Sequence, residues 1–368
     1  MKFICDKSTL LKEISIAQEI ISVKNALSIL SNIWMEAKEG SLTIKATDLK
    51  IFFETQIPIH VEVPGQTTVF CDKFLGILRS LPEGEIEYEL QDNNRFFIKP
   101  VGSKIEMQLK TIPTDKFPDI QENPDTPFFE LPQSEVLEMI QQTIFSVSDD
   151  ETRYFMNGVY LERKEEKLFA VATDGRRLSI IEKPLGNQVG DFHGIIIPPK
   201  TLNLIKKLAS GQGNMFLGIS DKSIYLHFDN QKIISNLIEG QFPNYSRVIP
   251  DFQEHKITVR RDELSEGLKR VSLLAEQKSK RIYLTAVDNT LIINTEESEI
   301  GVAKEIIPCE YNGPQNTLAL NYSFLMDPLK VFSTDLVTLE YTDPKKAVTV
   351  ATEPRREFFH IIMPMQID

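Results

Sequence analysis

Apolar residues recur with helical spacing at three places along the chain. Each place carries an i, i+4, i+7 stripe, which puts three side chains on one face of an α-helix. The second stripe follows the first by 126 residues, and the third follows the second by 128. The stripes are Leu10, Ile14 and Ala17; Val136, Ile140 and Thr143; and Leu264, Leu268 and Val271. This periodicity predicts three equivalent helices, each opening one of three similar units.

A second helix is predicted in each unit, after a short strand-like run. These helices run from Lys73, Lys200 and Tyr322 onward, and the first two starts are 127 residues apart. The tripeptide Ala-Thr-Asp also repeats, at residues 46–48 and 172–174, each time after an alternating run. Units one and two close alike at residues 116–119 and 241–244, where a proline ends strand pairing.

Between the helices, polar and apolar residues alternate with period two and are interrupted by turn residues. One example is the run 86–90, followed by Asp92-Asn93-Asn94 and the run 96–98. Such a pattern is typical of antiparallel hairpins. The sequence therefore predicts an α+β protein of three tandem similar domains, each with two helices on one side of antiparallel sheets. The predicted boundaries are 1–120, 129–250 and 251–368, with short connectors at 121–127 and 251–254.

Length and composition agree with several ordinary globular domains. A chain of 368 residues is longer than one core usually grows. Its three cysteines lie far apart and show no metal-ligand spacing, which favours a reduced, cytoplasmic environment. No signal-peptide core and no stretch of about eighteen apolar residues is present, so neither export nor membrane insertion is expected. The net charge of −12 argues against a protein that wraps phosphates over its whole surface.

The common catalytic and ligand-binding patterns are missing from the sequence. The five histidines show no paired helical spacing for a metal. Gly211-Gln212-Gly213 has Phe at position 216 where a nucleotide-binding loop needs Gly, so a turn is the simpler interpretation. Asp149-Asp150-Glu151 lacks the calcium-loop pattern and reads as a solvated loop. We therefore assign no catalytic residue, metal ligand or cofactor, and we expect a protein that is not an enzyme.

Several segments together resemble one known family over the full chain. Their order and spacing are similar to those of the bacterial DNA sliding clamps, the beta subunits of DNA polymerase III. The segments are Met1–Phe3, Ser31–Asn32, Ala46–Leu49, Leu81–Gly84, Arg153–Gly158, Val171–Leu178, Phe242–Pro250 and Met363–Met365. Each segment is weak alone, and the set is specific.

The resemblance implies a DNA-clamp fold and a processivity factor. In that family, two three-domain chains close head to tail into a ring that encircles double-stranded DNA without reading its sequence. A closed ring retains DNA by topology and needs only a mildly basic lining, which reconciles the acidic charge with DNA binding. An ATP-dependent clamp loader, contacting the ring through its delta subunit, loads it. The ring then tethers the DNA polymerase III alpha subunit, other polymerases and mismatch-repair proteins. A cytoplasmic, nucleoid-associated homodimer is expected.

The resemblance also implies three sets of site residues. The partner-peptide pocket corresponds to Met156, Thr173, Gly175, Arg176, Arg177, Leu178, Pro243, Arg247, Val248, Ile361, Met363, Pro364 and Met365. The DNA-contact positions are Lys24, Lys73, Arg79, Arg153, Lys200 and Lys206. The dimer-interface positions are Met107, Leu109, Leu273 and Leu274. Two departures, Arg176 in place of a frequent His and the Gln366-Ile367-Asp368 ending, imply altered partner preference.

Simpler interpretations stand beside these assignments. A basic residue on a helix is as well explained by a solvated helix face as by contact with phosphate. The four interface residues could instead pack in a core. Residues 361–363 could simply be the last strand of the third domain. A monomeric scaffold that binds proteins and not DNA is the main alternative function, and an enzyme of unrecognised type is a more distant one. The mass of the protein in solution separates the scaffold from the ring.

Overall fold

The computed structural model describes residues 1–21, 29–118, 126–185 and 192–366. The chain divides into two compact units. Unit 1 comprises Met1–Gln133 and Ala209–Asn236, and unit 2 comprises Ser134–Leu208 and Leu237–Asp368. The middle third of the chain therefore contributes to both units.

Nearly the same order of helices and strands is built three times along the chain, with one additional strand between the two helices of the first third. The first third contains β1 (Lys2–Asp6), α1 (Lys7–Ile20), β2 (Asn32–Lys38), β3 (Ser41–Thr47), β4 (Ile51–Pro58), β5 (His60–Val63), β6 (Gly65–Phe70), α2 (Cys71–Ser80), β7 (Glu85–Gln91), β8 (Arg95–Pro100) and β9 (Met107–Lys110). The middle third contains β10 (Phe128–Pro132), α3 (Gln133–Thr143), β11 (Val159–Lys164), β12 (Lys167–Thr173), β13 (Arg177–Pro184), β14 (Ile195–Ile197), α4 (Pro199–Leu208), β15 (Asn214–Ile219), β16 (Ser223–Phe228) and β17 (Gln231–Asn236). The last third contains β18 (His255–Arg260), α5 (Arg261–Ser272), β19 (Arg281–Val287), β20 (Thr290–Asn294), β21 (Lys304–Pro308), β22 (Asn316–Asn321), α6 (Tyr322–Val331), β23 (Leu336–Tyr341), β24 (Val348–Glu353) and β25 (Phe358–Ile362).

The helical stripes of the sequence are the buried faces of α1, α3 and α5. All nine stripe residues are buried. Burial of such a face, rather than helical propensity alone, stabilises short helices in water. The second helix of each third also forms, as α2, α4 and α6. The predicted α+β organisation in three similar domains is therefore confirmed.

Unit 1 contains two antiparallel sheets. The smaller has the strand order β5-β1-β7-β8-β9, and the larger has the order β10-β15-β16-β17-β4-β3-β2-β6. In the smaller sheet, the ring of Tyr88 stacks on Phe3 with ring centroids 4.8 Å apart, and it meets Phe74 of α2 edge-on at a centroid distance of 6.1 Å. These buried rings fix α2 against the sheet.

Unit 2 also contains two antiparallel sheets. The larger has the order β14-β11-β12-β13-β25-β24-β23-β18, and the smaller has the order β21-β20-β19-β22. In the larger sheet, Ser179 of β13 lies opposite His360 of β25. His360 Nδ1 lies 2.8 Å from Ser179 Oγ, which lies 2.6 Å from Ser146 Oγ, and all three side chains are buried.

Each eight-stranded sheet draws strands from two consecutive thirds of the chain. In unit 1 the thirds meet where β17 pairs with β4, and in unit 2 where β13 pairs with β25. Alternation within a strand shows which residues face a core but not which distant strand lies beside it. The sequence therefore predicted the hairpins but not these two seams.

The Ala-Thr-Asp repeat has a structural cause in the turns that follow β3 and β12. After β3, Thr47 Oγ1 donates a hydrogen bond to the carbonyl oxygen of Ile51 at 2.9 Å. Asp48 Oδ1 accepts from the backbone amides of Lys50 and Ile51 at 3.0 and 2.7 Å. A hydroxyl and a carboxylate at these places satisfy backbone groups that the tight turn leaves unpaired.

Candidate functional site

A cavity of about 150 Å³ opens on one face of the eight-stranded sheet of unit 2. It is mainly apolar, and no carboxylate is found among its lining residues. The lining consists of Met156, Thr173, Gly175, Arg176, Arg177, Leu178, Pro243, Asn244, Tyr245, Val248, Ile361 and Met363. An apolar cleft with a few polar groups at its edge is the usual form of a ligand site.

The cavity brings together most of the residues that the resemblance singled out. All of the predicted pocket residues line it except Arg247, Pro364 and Met365. Arg247 is exposed beside Val248, and the other two follow Met363 in the carboxyl-terminal segment. Asn244 and Tyr245 line the cavity but were not predicted. Both lie inside the segment Phe242–Pro250 that carries the resemblance, so extending the prediction to the whole segment could have found them.

The floor of the cavity is the β13–β25 seam. Leu178 of β13 and Ile361 of β25 lie opposite each other in the sheet, and both are buried. Val171 and Phe242 pack with them in one apolar cluster. The last strand of the chain therefore also forms part of the cavity, because alternate residues of a strand face opposite sides of the sheet.

One wall of the cavity is the turn between β12 and β13. Thr173 Oγ1 donates to the Arg177 carbonyl oxygen at 2.6 Å, and Asp174 Oδ1 accepts from the amide of Arg176 at 2.9 Å. This is the same arrangement as in the turn after β3. Gly175 has φ +86°, and a Cβ built there would lie 2.8 Å from Arg153 Nη1. The backbone conformation favours glycine here, and a larger residue would displace the Arg153 guanidinium.

Arg177 is held firmly beneath this wall. Its side chain is only 12% exposed, with Nε 3.0 Å from Asp174 Oδ2 and Nη1 2.7 Å from Asp327 Oδ2. It also donates to the carbonyl oxygen of Phe145 and lies over the ring of Phe324 at 4.5 Å. Both carboxylates and the ring leave this guanidinium little freedom to reach a ligand.

Arg176 differs from its neighbour in having a free side chain. Its carbonyl oxygen accepts from the amide of Met363 at 2.9 Å, and its own amide is bound by Asp174, so the backbone is fixed on both sides. The side chain is exposed, and within the described residues its guanidinium has no carboxylate partner. Among the cavity-lining residues that the structure describes, Arg176 therefore offers an available positive charge.

The opposite wall is Tyr245, which begins a short 3₁₀ turn, Tyr245–Val248. Its hydroxyl donates to Glu162 Oε1 and accepts from Lys164 Nζ at 2.9 Å. Burial and the hydrogen bond to Glu162 raise the pKa of the Tyr245 hydroxyl well above its ordinary value. The hydroxyl therefore remains a donor at neutral pH.

The carboxyl-terminal segment leaves the cavity along the last third of the chain. The amide of Met365 donates to the carbonyl oxygen of Ala319 at 2.8 Å, and Arg281 Nη1 donates to the Gln366 carbonyl oxygen at 3.2 Å. Residues 367–368, which complete the unusual ending noted in the sequence, lie outside the described residues.

The predicted DNA-contact residues lie on exposed surfaces of both units. Lys73 and Arg79 are exposed on α2 of unit 1, and Lys200 and Lys206 are exposed on α4 of unit 2. Lys24 lies outside the described residues. In contrast, α3 carries no basic residue.

Arg153, a predicted DNA-contact residue, lies beside Gly175 of the cavity wall. Its Nε lies 2.8 Å from Asp150 Oδ2. The hydrogen bond from the Thr152 hydroxyl, followed by that from Arg153, lowers the pKa of Asp150 to about 2. This carboxylate is therefore engaged by its neighbours.

The predicted interface residues lie at or beside edge strands. Met107 and Leu109 lie on β9, the edge strand of the five-stranded sheet of unit 1. Leu273 directly follows α5 in unit 2 and is 79% exposed. Leu274 Cδ1 lies 3.7 Å from the position of a Cβ on Gly301. Ile306 on the edge strand β21 is also exposed and was not predicted.

Within the described residues, no group of three or more His, Cys, Asp or Glu side chains is arranged to hold a metal ion. In the same part of the chain, no helix has the length and apolar character needed to cross a membrane.

Three family profiles match consecutive parts of the chain. They describe the N-terminal domain of the DNA polymerase III beta subunit at residues 1–121, the central domain at 130–244 and the C-terminal domain at 246–366. The fold and the profiles together define a protein built of three tandem clamp domains.

Relatives of known name match the whole chain. The beta sliding clamp of Treponema pallidum is 45% identical, and that of Escherichia coli is 29% identical, each over 100% of both chains. A crystal structure of the Pseudomonas aeruginosa sliding clamp bound to griselimycin has a TM-score of 0.94 at 26% identity, covering 100% of both chains. The chain belongs to the DNA polymerase III beta subunit family, the bacterial beta sliding clamps.

Proposed function

We propose that two copies of this chain close head to tail into a ring around double-stranded DNA, and that the ring holds polymerases on their template. The observation that carries the proposal is the apolar cavity. It gathers most of the residues expected of a partner-peptide pocket, in a chain that matches clamp relatives over its full length. A protein with this role needs no catalytic group, and we propose that it is not an enzyme.

The cavity is proposed to bind short linear segments of partner proteins. Apolar side chains, including two methionines that adapt to different shapes, suit an apolar anchor of such a segment. The proposed partners are the DNA polymerase III alpha subunit, other polymerases, the clamp loader delta subunit and mismatch-repair proteins. Loading onto DNA is proposed to depend on the ATP-driven clamp loader, in the bacterial cytoplasm.

Duplex DNA is proposed to meet exposed basic residues on both units. Lys73, Arg79, Arg153, Lys200 and Lys206 supply positive charge at exposed positions, although the chain as a whole carries a net charge of −12. Contacts of this kind recognise phosphates and not bases. For dimer closure, we propose the edge carrying Met107 and Leu109 on one copy and Leu273 and Leu274 on the other. The proposed domain boundaries are 1–120, 129–250 and 251–368.

Retention on circular and linearised plasmid tests the topological part of the proposal. The protein is loaded by a clamp loader and ATP, and the salt concentration is then raised to weaken phosphate contacts. We expect retention on circular DNA and loss from linear DNA, because a ring slides off a free end. Equal loss from both would falsify encirclement. A monomer mass in solution would favour the protein-binding scaffold.

Peptide binding tests the pocket. Fluorescein-labelled ten-residue windows tiling the DNA polymerase III alpha subunit are titrated with the protein, with griselimycin as a second probe. Deleting residues 363–368 is expected to abolish peptide binding while the dimer mass stays unchanged. Normal peptide affinity after the deletion would mean that this cavity is not the peptide-binding site.

A further inference from the structure

Tyr245 forms a wall of the cavity without belonging to a sheet. It lies in the segment between β17 and β18, which crosses the face of the eight-stranded sheet of unit 2. Side chains hold this segment against β11: the ring of Phe242 stacks on Tyr160 with centroids 4.6 Å apart and an interplanar angle of 2°. The position of the Tyr245 ring therefore depends on contacts made behind it.

Those contacts converge on Glu162. Its side chain is 13% exposed, and Tyr245 donates to its Oε1. The hydroxyl of Tyr160 lies 3.4 Å from its Oε2, and Lys164 Nζ lies 2.6 Å from its Oε1. Alternation along β11 places Tyr160, Glu162 and Lys164 on one face of the strand. One carboxylate thus connects the strand to the cavity wall.

The hydrogen bonds have a fixed direction at neutral pH. Burial, followed by the charge of Glu162, raises the pKa of Tyr160 to about 12, and the pKa of Tyr245 is also raised. Both hydroxyls are therefore donors and the carboxylate is the acceptor. Lys164 Nζ also lies over the Tyr245 ring, 4.6 Å from its centroid.

We propose that Glu162 is a positioning residue for the peptide pocket. It does not line the cavity, and it acts by holding the Tyr245 ring in the orientation that a bound peptide meets. This role rests on the proposed function of the cavity. The positioning role requires a charged acceptor within hydrogen-bonding distance of the Tyr245 hydroxyl. A neutral amide of the same shape at position 162 is a poorer acceptor.

A double-mutant cycle tests this role. The variants are Glu162→Gln, Tyr245→Phe and the two together, and Glu166→Gln is the control because Glu166 lies on the same hairpin, exposed and outside the cluster. Peptide affinity is measured with the tightest-binding alpha-subunit window and with griselimycin. We expect each single variant to bind the peptide about fivefold more weakly, and the double variant to be no weaker than the single ones, because both remove the same contact.

Fluorine NMR of protein labelled with 3-fluorotyrosine reports the ring itself. The resonance that disappears in Tyr245→Phe is assigned to Tyr245. We expect it to shift or broaden in Glu162→Gln and to stay unchanged in Glu166→Gln. Thermal unfolding of each variant separates this local effect from general destabilisation.

The outcomes separate the two proposals. If no window binds the unaltered protein, the pocket function fails. If a window binds and Glu162→Gln leaves both its affinity and the Tyr245 resonance unchanged, the positioning role is wrong. Additive losses in the cycle would also overturn it, because Glu162 would then act independently of Tyr245.

Discussion

Arg177 Nη1 lies 2.7 Å from Asp327 Oδ2, which joins strand β13 to helix α6 across 150 residues of sequence. Asp174 contacts the same guanidinium, so one largely buried cation is shared by two carboxylates. Removing a buried partner leaves the remaining charges uncompensated, which makes such a contact hard to lose.

Arg177→Gln is therefore expected to lower the free energy of unfolding by about 2–4 kcal/mol. The measurement is urea denaturation followed by circular dichroism. Lys330→Gln is the control, because Lys330 also pairs with Asp327, at 3.0 Å, but is 62% exposed. Loss of the Lys330 charge is expected to change the free energy of unfolding by about 0.5 kcal/mol or less. Equal effects of the two variants would contradict the assigned role of Arg177.

Arg176 is expected to select peptides that carry an acidic residue beside their apolar anchor. Each binding peptide is tested as a Glu and Gln pair by fluorescence anisotropy. We expect the Glu form to bind about three- to fivefold more tightly at low salt and the difference to shrink as salt rises. Arg176→Gln is expected to abolish the preference, and Arg356→Gln, an exposed arginine outside the cavity, to preserve it. If Arg176→Gln still prefers the Glu form of the peptide, another group causes the preference.

Gly175→Ala is expected to reduce stability by about 1–2 kcal/mol, because alanine is strained at this positive φ. It is also expected to weaken peptide binding, because the added Cβ displaces the Arg153 guanidinium beside the cavity wall. Gly213→Ala is the matched control: its φ is +71°, and nothing lies within 4 Å of the added Cβ. Thermal unfolding and peptide affinity are measured for both. If only stability falls, and equally in both variants, the contact with Arg153 has no part in the pocket.

His360 is expected to make the protein sensitive to mild acid. Burial, followed by the nearby charge of Arg177, lowers the pKa of His360 from 6.5 to about 3. In the unfolded chain, the His360 imidazole binds a proton below about pH 6.5, whereas in the folded chain it stays neutral until about pH 3. The free energy of unfolding therefore falls as the pH drops through this window. Between pH 7 and pH 5 this group contributes a loss of about 2 kcal/mol.

The variant His360→Phe tests this. The rings of Phe145 and Phe332, each 5.3 Å away, already form an aromatic site there. The difference in unfolding free energy between pH 7 and pH 5 is expected to be smaller in this variant than in the exposed control His193→Asn. The same pH dependence in both would exclude His360 as its source.

Leu273→Ala together with Leu274→Ala is expected to yield monomers in analytical sedimentation. Leu273 is 79% exposed in the isolated chain, so its truncation removes little packing within unit 2. Leu49→Ala, at an exposed leucine of unit 1, is the control and is expected to leave the mass unchanged. An unchanged dimer mass in the double variant would count against this interface.

The sequence predicted best those features that recur or that depend on near neighbours. The stripe of Leu10, Ile14 and Ala17 reported a buried helical face directly, and the repeated Ala-Thr-Asp marked two turns with the same hydrogen bonds. Neighbours in space were harder to predict. Nothing in the pattern around Ser179 shows that His360 lies opposite it, because register between distant strands is set by packing over the whole sheet.

The cavity shows the same division. Its apolar lining could be predicted from the resemblance, and extending the prediction to the whole segment Phe242–Pro250 would have included Tyr245. The support of Tyr245 on Glu162 could not be predicted, since this contact spans 83 residues and neither side chain is unusual in its local sequence. Arg176 and Arg177 are adjacent and chemically identical, yet in the described part of the chain only Arg177 has carboxylate partners. Which one is paired in this way depends on Asp327, a residue of another helix.

The two seams make the middle third of the chain dependent on its neighbours. β17 pairs with a strand of the first third, and β13 pairs with a strand of the last third. A fragment holding only the middle third would present two open rows of backbone donors and acceptors, and such rows invite aggregation. Loss of either flanking third would therefore leave one of these edges open unless another strand took it over.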